Sequence, residues 1–524
     1  MAHAVIPAPA RYEALEGPGF VLRPGTAVVC ADATIAPLLE RFCAQVARYA
    51  GGRMQPGVSA APDQPFVLID LSGGADLHGL TAPAGLAPGG GEPDDERYSL
   101  LIGSGRIVVR AAGPAGAARG LTTLTQLAAT AGQAPLAAAR IADAPRYAWR
   151  GLSLDVARNF RPTGDIRRVI DLLEFYKLNV LHLHLTDDQA WRLPMGRPAA
   201  SPAPAASYSE DDLRALAAYA ADRFVTIVPE VDTPGHVTAL LGMRPELRTG
   251  RNDVDYEVLA GHPRHATWLD PELPATFELI EEVLAGVAGI FPGPYLHIGA
   301  DEPRAMPDEL YVSYVQKLRD LVRGLGRRPL GWQETARAGL DAEDVIQFWL
   351  TDFGLPDTAP PQVRAQVAAE LALARQDVDA VVAASVPAIV SPLPFCYLDV
   401  PYAEPSADPA QAETQNRLGL RVYAPRSTDA AFGWDPGQAL GPGAAAQVAG
   451  VEAAIWAETI TSFGDLCFLL LPRLAGVAHK AWSAPEPGGP AAGWPAHRDR
   501  LARHGAVWAA DGLDYFRSSA VDWA

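Results

Sequence analysis

The chain carries two successive patterns of apolar and polar positions. In the first of them, strand-length runs rich in β-branched residues occupy residues 66–70, 98–102 and 106–110, and the short glycine-containing segment 103–105 separates the last two as a hairpin turn would. Leucines at helical spacing follow within residues 114–130. These features predict a small α+β domain over residues 1–145.

From residue 146 onward, short apolar runs alternate with amphipathic helical patterns. The apolar runs occupy residues 151–155, 180–185, 224–228, 295–298, 329–332, 345–349, 388–391 and 448–456. Strands that alternate with helices favour a parallel sheet, and eight such units match a (β/α)8 TIM barrel. We therefore predict an α/β protein whose catalytic barrel spans residues 146–524, with enlarged loops at 196–206 and 403–410 and no separate C-terminal domain.

Composition restricts the classes of partner. With 61 acidic against 43 basic residues the formal net charge is −18, which argues against nucleic acid or an anionic membrane as the main partner. No run is long and apolar enough to span a bilayer. The N-terminal residues show neither a basic nor an apolar signal region, so we expect a cytoplasmic protein, or a secreted one if a leader has been removed.

The four cysteines, at positions 30, 43, 396 and 467, are widely spaced and form no CxxC pair. This spacing is typical of neither a disulfide framework nor a zinc site, and a reducing compartment is the simpler interpretation.

Each predicted barrel strand ends beside a side chain suited to acid–base chemistry or sugar binding. The fourth strand ends in the adjacent carboxylates Asp301 and Glu302, which a turn of the backbone could aim into one pocket. An isolated acidic pair is more often a helix N-terminus, but TIM-barrel enzymes collect their active sites at the C-terminal ends of the strands. The other strand ends contribute Arg158, Asp187, His236, Trp332, Trp349, Tyr397, Asp399, Trp456 and Glu458.

These segments resemble the β-N-acetylhexosaminidases of glycoside hydrolase family 20. The resemblance is carried by residues 150–160, 179–192, 229–236, 297–302, 331–334, 397–399 and 452–458. The domain before the barrel also resembles the usual N-terminal module of that family. The resemblance implies an exo-acting enzyme that removes terminal β-linked N-acetylglucosamine or N-acetylgalactosamine from a small oligosaccharide or glycoconjugate without a metal or organic cofactor.

For the acidic pair, the resemblance implies a retaining, substrate-assisted mechanism through an oxazolinium intermediate. Asp301 would orient the substrate's acetamido group and balance the charge that develops on its nitrogen. Glu302 would protonate the leaving oxygen and later deprotonate the attacking water. Burial and the nearby charge of Asp301 are expected to raise the pKa of Glu302 and keep it protonated at first.

The resemblance also implies that aromatic residues enclose the sugar. Tyr397 would donate a hydrogen bond to the acetamido oxygen. Trp332, Trp349 and Trp456 would form the apolar wall, because flat rings pack against sugar C–H faces and the acetamido methyl group.

The polar remainder of the predicted site would position the sugar ring and the catalytic groups. Arg158 and Glu458 would hold ring hydroxyls, and Asp399 would join them. Asp187 and His236 resemble the pair that supports the acid/base residue in the family.

Two positions depart from the family pattern. Ala300 replaces a more usual glycine before the acidic pair and is expected to crowd the backbone slightly. Asn159 replaces the commoner histidine after Arg158.

Three other interpretations remain open. His182 and His184 lie two apart on one strand, as at the start of an amidohydrolase metal site, although no matching Lys or His set follows. A family member that releases a disaccharide would differ in pocket closure, which sequence does not show. A non-catalytic amino-sugar-binding barrel is disfavoured because both carboxylates are present.

A homodimer is compatible with the sequence.

Overall fold

The computed structural model describes residues 3–61, 64–73, 77, 79–197, 206–259, 262–355 and 360–523, and the side chains of residues 256–264 are not described. The predicted loop 196–206 therefore lies mostly outside the described residues. Within these ranges the chain forms an N-terminal α+β domain followed by a closed barrel.

The N-terminal domain is one mixed sheet with two helices. Its elements are β1 (Arg11–Ala14), β2 (Ala27–Cys30), α1 (Ala36–Ala47), β3 (Gln55–Gly57), β4 (Phe66–Asp70), β5 (Tyr98–Ile102), β6 (Arg106–Ala111), α2 (Pro114–Ala131) and β7 (Ala139–Asp143). The strand order in the sheet is β1-β7-β5-β6-β4-β2-β3. The predicted strands correspond to β4, β5 and β6, and the predicted hairpin joins β5 to β6 in antiparallel register. Apolar side chains alternate to one face and pack against both helices.

The second part of the chain closes into a barrel of eight parallel strands in the order β8-β9-β12-β15-β16-β17-β18-β19. The fold class predicted from the sequence is confirmed. The barrel strands are β8 (Trp149–Asp155), β9 (Val180–His184), β12 (Thr226–Glu230), β15 (Tyr295–His297), β16 (Arg328–Trp332), β17 (Val345–Phe348), β18 (Ala388–Val390) and β19 (Val448–Ile455), and the chain also forms β10 (Thr186–Asp187), β11 (Ala190–Trp191), β13 (Asp253–Leu259) and β14 (His262–Thr267). Strands β10–β11 and β13–β14 form antiparallel hairpins outside the barrel.

Helices follow most barrel strands, and several shorter helices lie in the long loops. They are α3 (Thr163–Phe175), α4 (Glu210–Ala221), α5 (Thr238–Met243), α6 (Pro274–Ile290), α7 (Asp308–Gly324), α8 (Pro361–Ala384), α9 (Leu393–Cys396), α10 (Ala412–Arg417), α11 (Thr428–Phe432), α12 (Phe463–Leu470), α13 (Arg473–Trp482) and α14 (Trp494–Ala510). Ser209 begins α4 with the predicted capping box, because its hydroxyl and the Asp212 carboxylate bond reciprocally to the first turn. No helix among the described residues has the length and apolar content needed to cross a membrane.

The third barrel strand begins two residues later than predicted. Phe224 has a φ of 55°, in the left-handed region, so the chain is still turning out of α4 at this point. The strand then ends at Glu230, which lies in register with His184 on one side and His297 on the other. This register places a carboxylate at the centre of the barrel.

Buried charges join the two domains. Lys177, at the end of the first barrel helix, donates to Asp143 of β7 at 3.0 Å and to the hydroxyl of Tyr98, and both members of the ion pair are fully buried. Glu96 lies between Arg119 and Arg150 with contacts of 2.6 and 2.7 Å. The orientation of the small domain on the barrel is therefore fixed by specific polar contacts as well as by apolar packing.

Replacing Lys177 with methionine is expected to lower the free energy of unfolding by about 3–5 kcal/mol, because the Asp143 carboxylate would lose its buried counter-charge. Arg140 is the matched control: it pairs with Glu13 at 3.5 Å on the surface, where the side chains are 60% and 62% exposed. Arg140→Met should change stability by less than about 1 kcal/mol. Equal effects of the two substitutions on urea unfolding would contradict this account of the interface.

Candidate active site

The backbone after β15 turns in the left-handed region and thereby brings two adjacent carboxylates to one end of the barrel. Gly299, Ala300 and Glu302 have φ values of 64°, 71° and 41°. A Cβ at Gly299 would lie 1.8 Å from Oδ1 of Asp232, so only glycine fits there. The alanine at position 300 is accommodated in this conformation, with its N–H donating to Asp232 at 3.1 Å. The expected crowding therefore takes the form of left-handed backbone strain, which costs about 1–2 kcal/mol.

Asp301 lies beside His236, which the sequence predicts to be a site residue because it follows the third barrel strand. Nε2 of His236 is 3.9 Å from the Asp301 carboxylate, and its Nδ1 is 3.5 Å from Asp187. Burial and the charge of Glu302 raise the pKa of Asp301 to about 6, although His236 opposes the shift. His236 thus contacts Asp301 directly, and it acts on Glu302 through its charge.

The expectation that the pKa of Glu302 is raised is wrong. Burial alone would raise it, but the Arg304 guanidinium contacts the Glu302 carboxylate at 2.5 Å and lowers the pKa below its ordinary value. The repulsion between the two carboxylates instead raises the pKa of Asp301. The sequence argument failed because it considered burial and the neighbouring carboxylate but not the arginine two residues further along.

Aromatic rings from the fifth, sixth, seventh and eighth strand ends form a continuous cluster. Trp349 stacks on Tyr397 with ring centroids 6.1 Å apart and planes 10° apart. Trp456 lies 5.9 Å from Tyr397 and 6.0 Å from Trp332. Burial raises the pKa of Tyr397 well above its ordinary value, so its hydroxyl remains a hydrogen-bond donor. The predicted aromatic wall is present as an assembled set.

Arg158 connects the acidic side of the site to the aromatic side. Its guanidinium bonds to Asp187 at 2.7 Å and lies 5.0 Å from the centre of the Trp456 ring. Asp399 accepts from the main-chain N–H of Trp456 at 3.3 Å, and the exposed Glu458 acts on Arg158 through its charge. All predicted site residues therefore lie in one cluster, although their roles remain predictions.

Several polar atoms of this cluster are buried without a hydrogen-bond partner among the described residues. They are Nε of Arg158, Oδ1 of Asp301, Oδ2 of Asp399 and both ring nitrogens of His236. Unpaired buried polar atoms cost free energy, and in a native protein they are typical of sites that bind polar ligands. Hydroxyl and amide groups of a sugar are the kind of partner that would satisfy them.

Acidic and basic side chains alternate beneath the site along the inside of the barrel. From Asp187 the string continues through His184, Glu230, His182 and Glu452, with contacts of 3.0, 2.5, 3.1 and 2.8 Å. Burial alone would lower the pKa of both histidines, but Glu230 raises that of His184 well above its ordinary value and that of His182 to about 9. The indole N–H of Trp332 donates to the same Glu230 at 2.8 Å. This string therefore orients both Asp187 and Trp332.

The histidines of the second strand lie among buried carboxylates. Groups such as His182, Glu230 and His297 have donor atoms within 4.8 Å of one another. The ring nitrogens of His182 and His184 face Glu230, Glu452 and Asp187 in ion pairs of 2.5 to 3.1 Å. Their positions agree with the interpretation of these residues as support for the barrel.

Two residues of the site, Asp232 and Glu334, were not predicted. They lie within segments 229–236 and 331–334, but the sequence analysis assigned no role to either side chain. Asp232 lies two residues after β12 and is 1% exposed; burial and Asp301 raise its pKa well above the ordinary value. Glu334 accepts from the indole N–H of Trp349 at 3.2 Å, and burial and Asp301 raise its pKa to about 8. Position beside a strand end was the available signal for both.

Tyr423 carried no comparable signal. It lies in the long segment after β18 and packs 6.2 Å from Tyr397, with Phe353 on its other side. No periodic pattern in the sequence indicates that this segment folds back over the site.

A parallel (β/α)8 barrel that gathers two adjacent carboxylates, an arginine and a wall of aromatic rings at the C-terminal ends of its strands has the architecture of a glycoside hydrolase. Residues 147–307 and 304–485 match the catalytic domain of glycosyl hydrolase family 20, and residues 2–144 match domain 2 of the same family. The chain belongs to glycoside hydrolase family 20.

Curated proteins and solved structures agree with this assignment over the full length. The chain is 34% identical over 534 residues to a beta-N-acetylhexosaminidase of Cellulomonas fimi, spanning 99% of this chain and 97% of that protein. A Streptomyces plicatus N-acetyl-beta-hexosaminidase in complex with Thio-NAglucal is 30% identical with a TM-score of 0.78, covering 99% and 98% of the two chains. A Streptomyces coelicolor GH20 beta-N-acetylhexosaminidase is 31% identical with a TM-score of 0.77, covering 99% of each chain. The predicted family and enzyme class are confirmed.

Proposed function

We propose that this protein is an exo-acting β-N-acetylhexosaminidase that removes terminal non-reducing β-linked N-acetylglucosamine or N-acetylgalactosamine with retention of configuration. The observation that carries the proposal is the placement of Asp301 and Glu302 beside the assembled aromatic wall. Relatives support it: a Streptomyces plicatus beta-hexosaminidase mutant was solved with GlcNAc described as its product. The substrate is accordingly a glycan that contains N-acetylglucosamine.

In the first step the substrate's acetamido oxygen attacks the anomeric carbon while the bond to the leaving oxygen breaks. The proton of Glu302 passes to that oxygen, and the substrate becomes an oxazolinium ion. Asp301 accepts the acetamido N–H and balances the positive charge that is shared with the nitrogen. In the second step water attacks the anomeric carbon, Glu302 takes the water proton, and the acetamido group is restored.

The test compares purified protein on an aryl β-N-acetylglucosaminide and the matching aryl β-glucoside, with and without EDTA. Hydrolysis of the acetamido sugar alone, unchanged by EDTA, is the expected result, because the attacking oxygen belongs to the acetamido group. Equal hydrolysis of the glucoside would contradict substrate assistance, and loss of activity in EDTA would contradict the expectation of metal independence. Release of an intact disaccharide from an aryl chitobioside would contradict the proposal that the enzyme removes single terminal residues.

Replacing Tyr397 with phenylalanine should lower kcat by about 10²–10³-fold with little change in KM, because one buried donor to the reacting acetamido group is lost. Tyr402 is the matched control, since its buried hydroxyl donates only to main-chain carbonyls around residues 468–471. Tyr402→Phe should leave kcat near the wild-type value. Similar losses in both variants would indicate a general effect of tyrosine hydroxyls on stability.

A cytoplasmic location is part of the proposal. The four cysteines are all buried free thiols, which is the state favoured in a reducing compartment. Fractionation of the source cells, with immunodetection in cytosol and culture medium, tests it; recovery in the medium would contradict it. The partner is proposed to be a small oligosaccharide or glycoconjugate, with neither nucleic acid nor membrane involved, and the homodimer stays a prediction for light scattering to check.

A further inference from the structure

Arg304 bridges the acid/base carboxylate and a helix from a different part of the barrel. Its guanidinium contacts Oε1 of Glu302 at 2.5 Å and Oε1 of Glu370, on α8, at 2.7 Å. The three side chains are 29–35% exposed, so the bridge lies at the open side of the site. Gln366, one turn earlier on α8, also donates to Glu370 at 3.2 Å.

This bridge conflicts with the first step of the proposed reaction. To protonate the leaving oxygen, Glu302 must carry a proton, but an arginine in contact with a carboxylate stabilises the ionised form. An arginine that holds Glu302 through the whole cycle would keep the carboxyl ionised, as it must be when the second step begins, at the expense of the first step. The second carboxylate, Glu370, gives the same guanidinium another partner when Glu302 becomes neutral.

Other charged groups also face Glu302. His236 and Arg158 add positive charge from the loops after β12 and β8. Asp301 adds negative charge from the loop after β15, which also carries Glu302. The hydroxyl of Tyr423 faces it from the segment after β18. Of these groups, Arg304 makes the hydrogen bond to the Glu302 carboxylate, and its guanidinium also contacts the carboxylate of Glu370.

We propose that Arg304 is a positioning residue that shifts between Glu302 and Glu370: it releases Glu302 while that carboxyl carries the proton for the leaving group, and it returns to Glu302 once the proton has been given up. The inference rests on the proposed function of Glu302 as the acid/base. It assigns a role in catalysis to helix α8, which follows the loop that carries Trp349.

The dependence of kcat/KM on pH tests the proposal, because the basic limb follows loss of the Glu302 proton in the free enzyme. Arg304→Met removes the stabilising positive charge, and the limb should move to higher pH by about one unit or more. Glu370→Gln removes the negative charge that Arg304 contacts on α8, so that the pKa of Glu302 falls, and the limb should move to lower pH. Arg304→Lys retains the charge, and its limb should lie closer to that of the wild type than that of Arg304→Met.

The matched control is Asp377→Asn on the same helix. Asp377 anchors α8 through two contacts to Arg337, at 3.0 and 2.9 Å, and does not contact Glu302. Its substitution should leave the basic limb in place. The proposal is overturned if the basic limb does not move in the Arg304 and Glu370 variants, or if it moves in the same direction in both. An equal shift in Asp377→Asn also overturns it, because loosening of α8 would then be the cause. If the variants are active and their limbs do not move, the proposed role of Arg304 is refuted but the proposed function is not. If the wild-type protein is inactive on every hexosaminide, the proposed function is refuted.

Discussion

Replacing Glu302 with glutamine is expected to lower kcat/KM for N-acetylglucosaminides with poor leaving groups by about 10²–10⁴-fold. Glutamine has nearly the same shape and can still accept from Arg304, so the loop after β15 should keep its conformation. What is lost is the proton that the leaving oxygen needs as its bond to the anomeric carbon breaks. An aryl leaving group that is stable as an anion needs less protonation, so the loss on such a substrate should be smaller.

The difference between the two leaving groups is the informative measurement. Glu309→Gln, on the exposed first turn of α7, makes the same chemical change away from the site and should leave both rates unchanged. If Glu302→Gln slows both substrates equally, Glu302 does not act as the acid. Unchanged turnover in the variant would exclude any acid/base role for it.

The barrel could be predicted because its signal is repeated. Each βα unit must bury an apolar strand between neighbours and cover it with the apolar face of a helix, so eight runs in sequence specify the architecture even when individual boundaries move. The strand beginning at Thr226 shows the limit: the left-handed conformation of Phe224 depends on how α4 ends, which the apolar run does not encode. The hairpin β13–β14 was missed because it leaves the barrel and does not share its repeat.

The site could be predicted to the extent that its residues follow strand ends. That rule collected the predicted carboxylates, the arginine and the aromatic residues, because parallel strands bring their C-terminal ends to one face of the barrel. The rule does not report which charges touch. The contact of Arg304 with both Glu302 and Glu370 joins the loop after β15 to helix α8, and no spacing in the sequence indicates it. The direction of the Glu302 pKa shift was therefore mispredicted.

Replacing Asp301 with asparagine is expected to lower kcat by about 10²–10³-fold, a loss comparable to removal of a group that stabilises transition-state charge. The asparagine side chain retains an oxygen that can accept from the acetamido N–H, but it carries no charge to balance the oxazolinium ion. Asp232 cannot substitute for it: its Oδ1 is held by the Ala300 N–H, and it is 1% exposed.

The pH profile separates this role from a purely structural one. For an aryl substrate whose leaving group needs little protonation by Glu302, kcat/KM of the wild-type protein should fall as the pH is lowered through about 6, because burial and Glu302 raise the pKa of Asp301 to about 6 and protonation there removes its charge. In Asp301→Asn no carboxyl group titrates at this position, so the residual activity should lack that acidic limb. An acidic limb that stays near pH 6 in the variant would assign the titration to another group, whereas its disappearance together with the loss of kcat would identify the ionised Asp301 as the form that stabilises the intermediate.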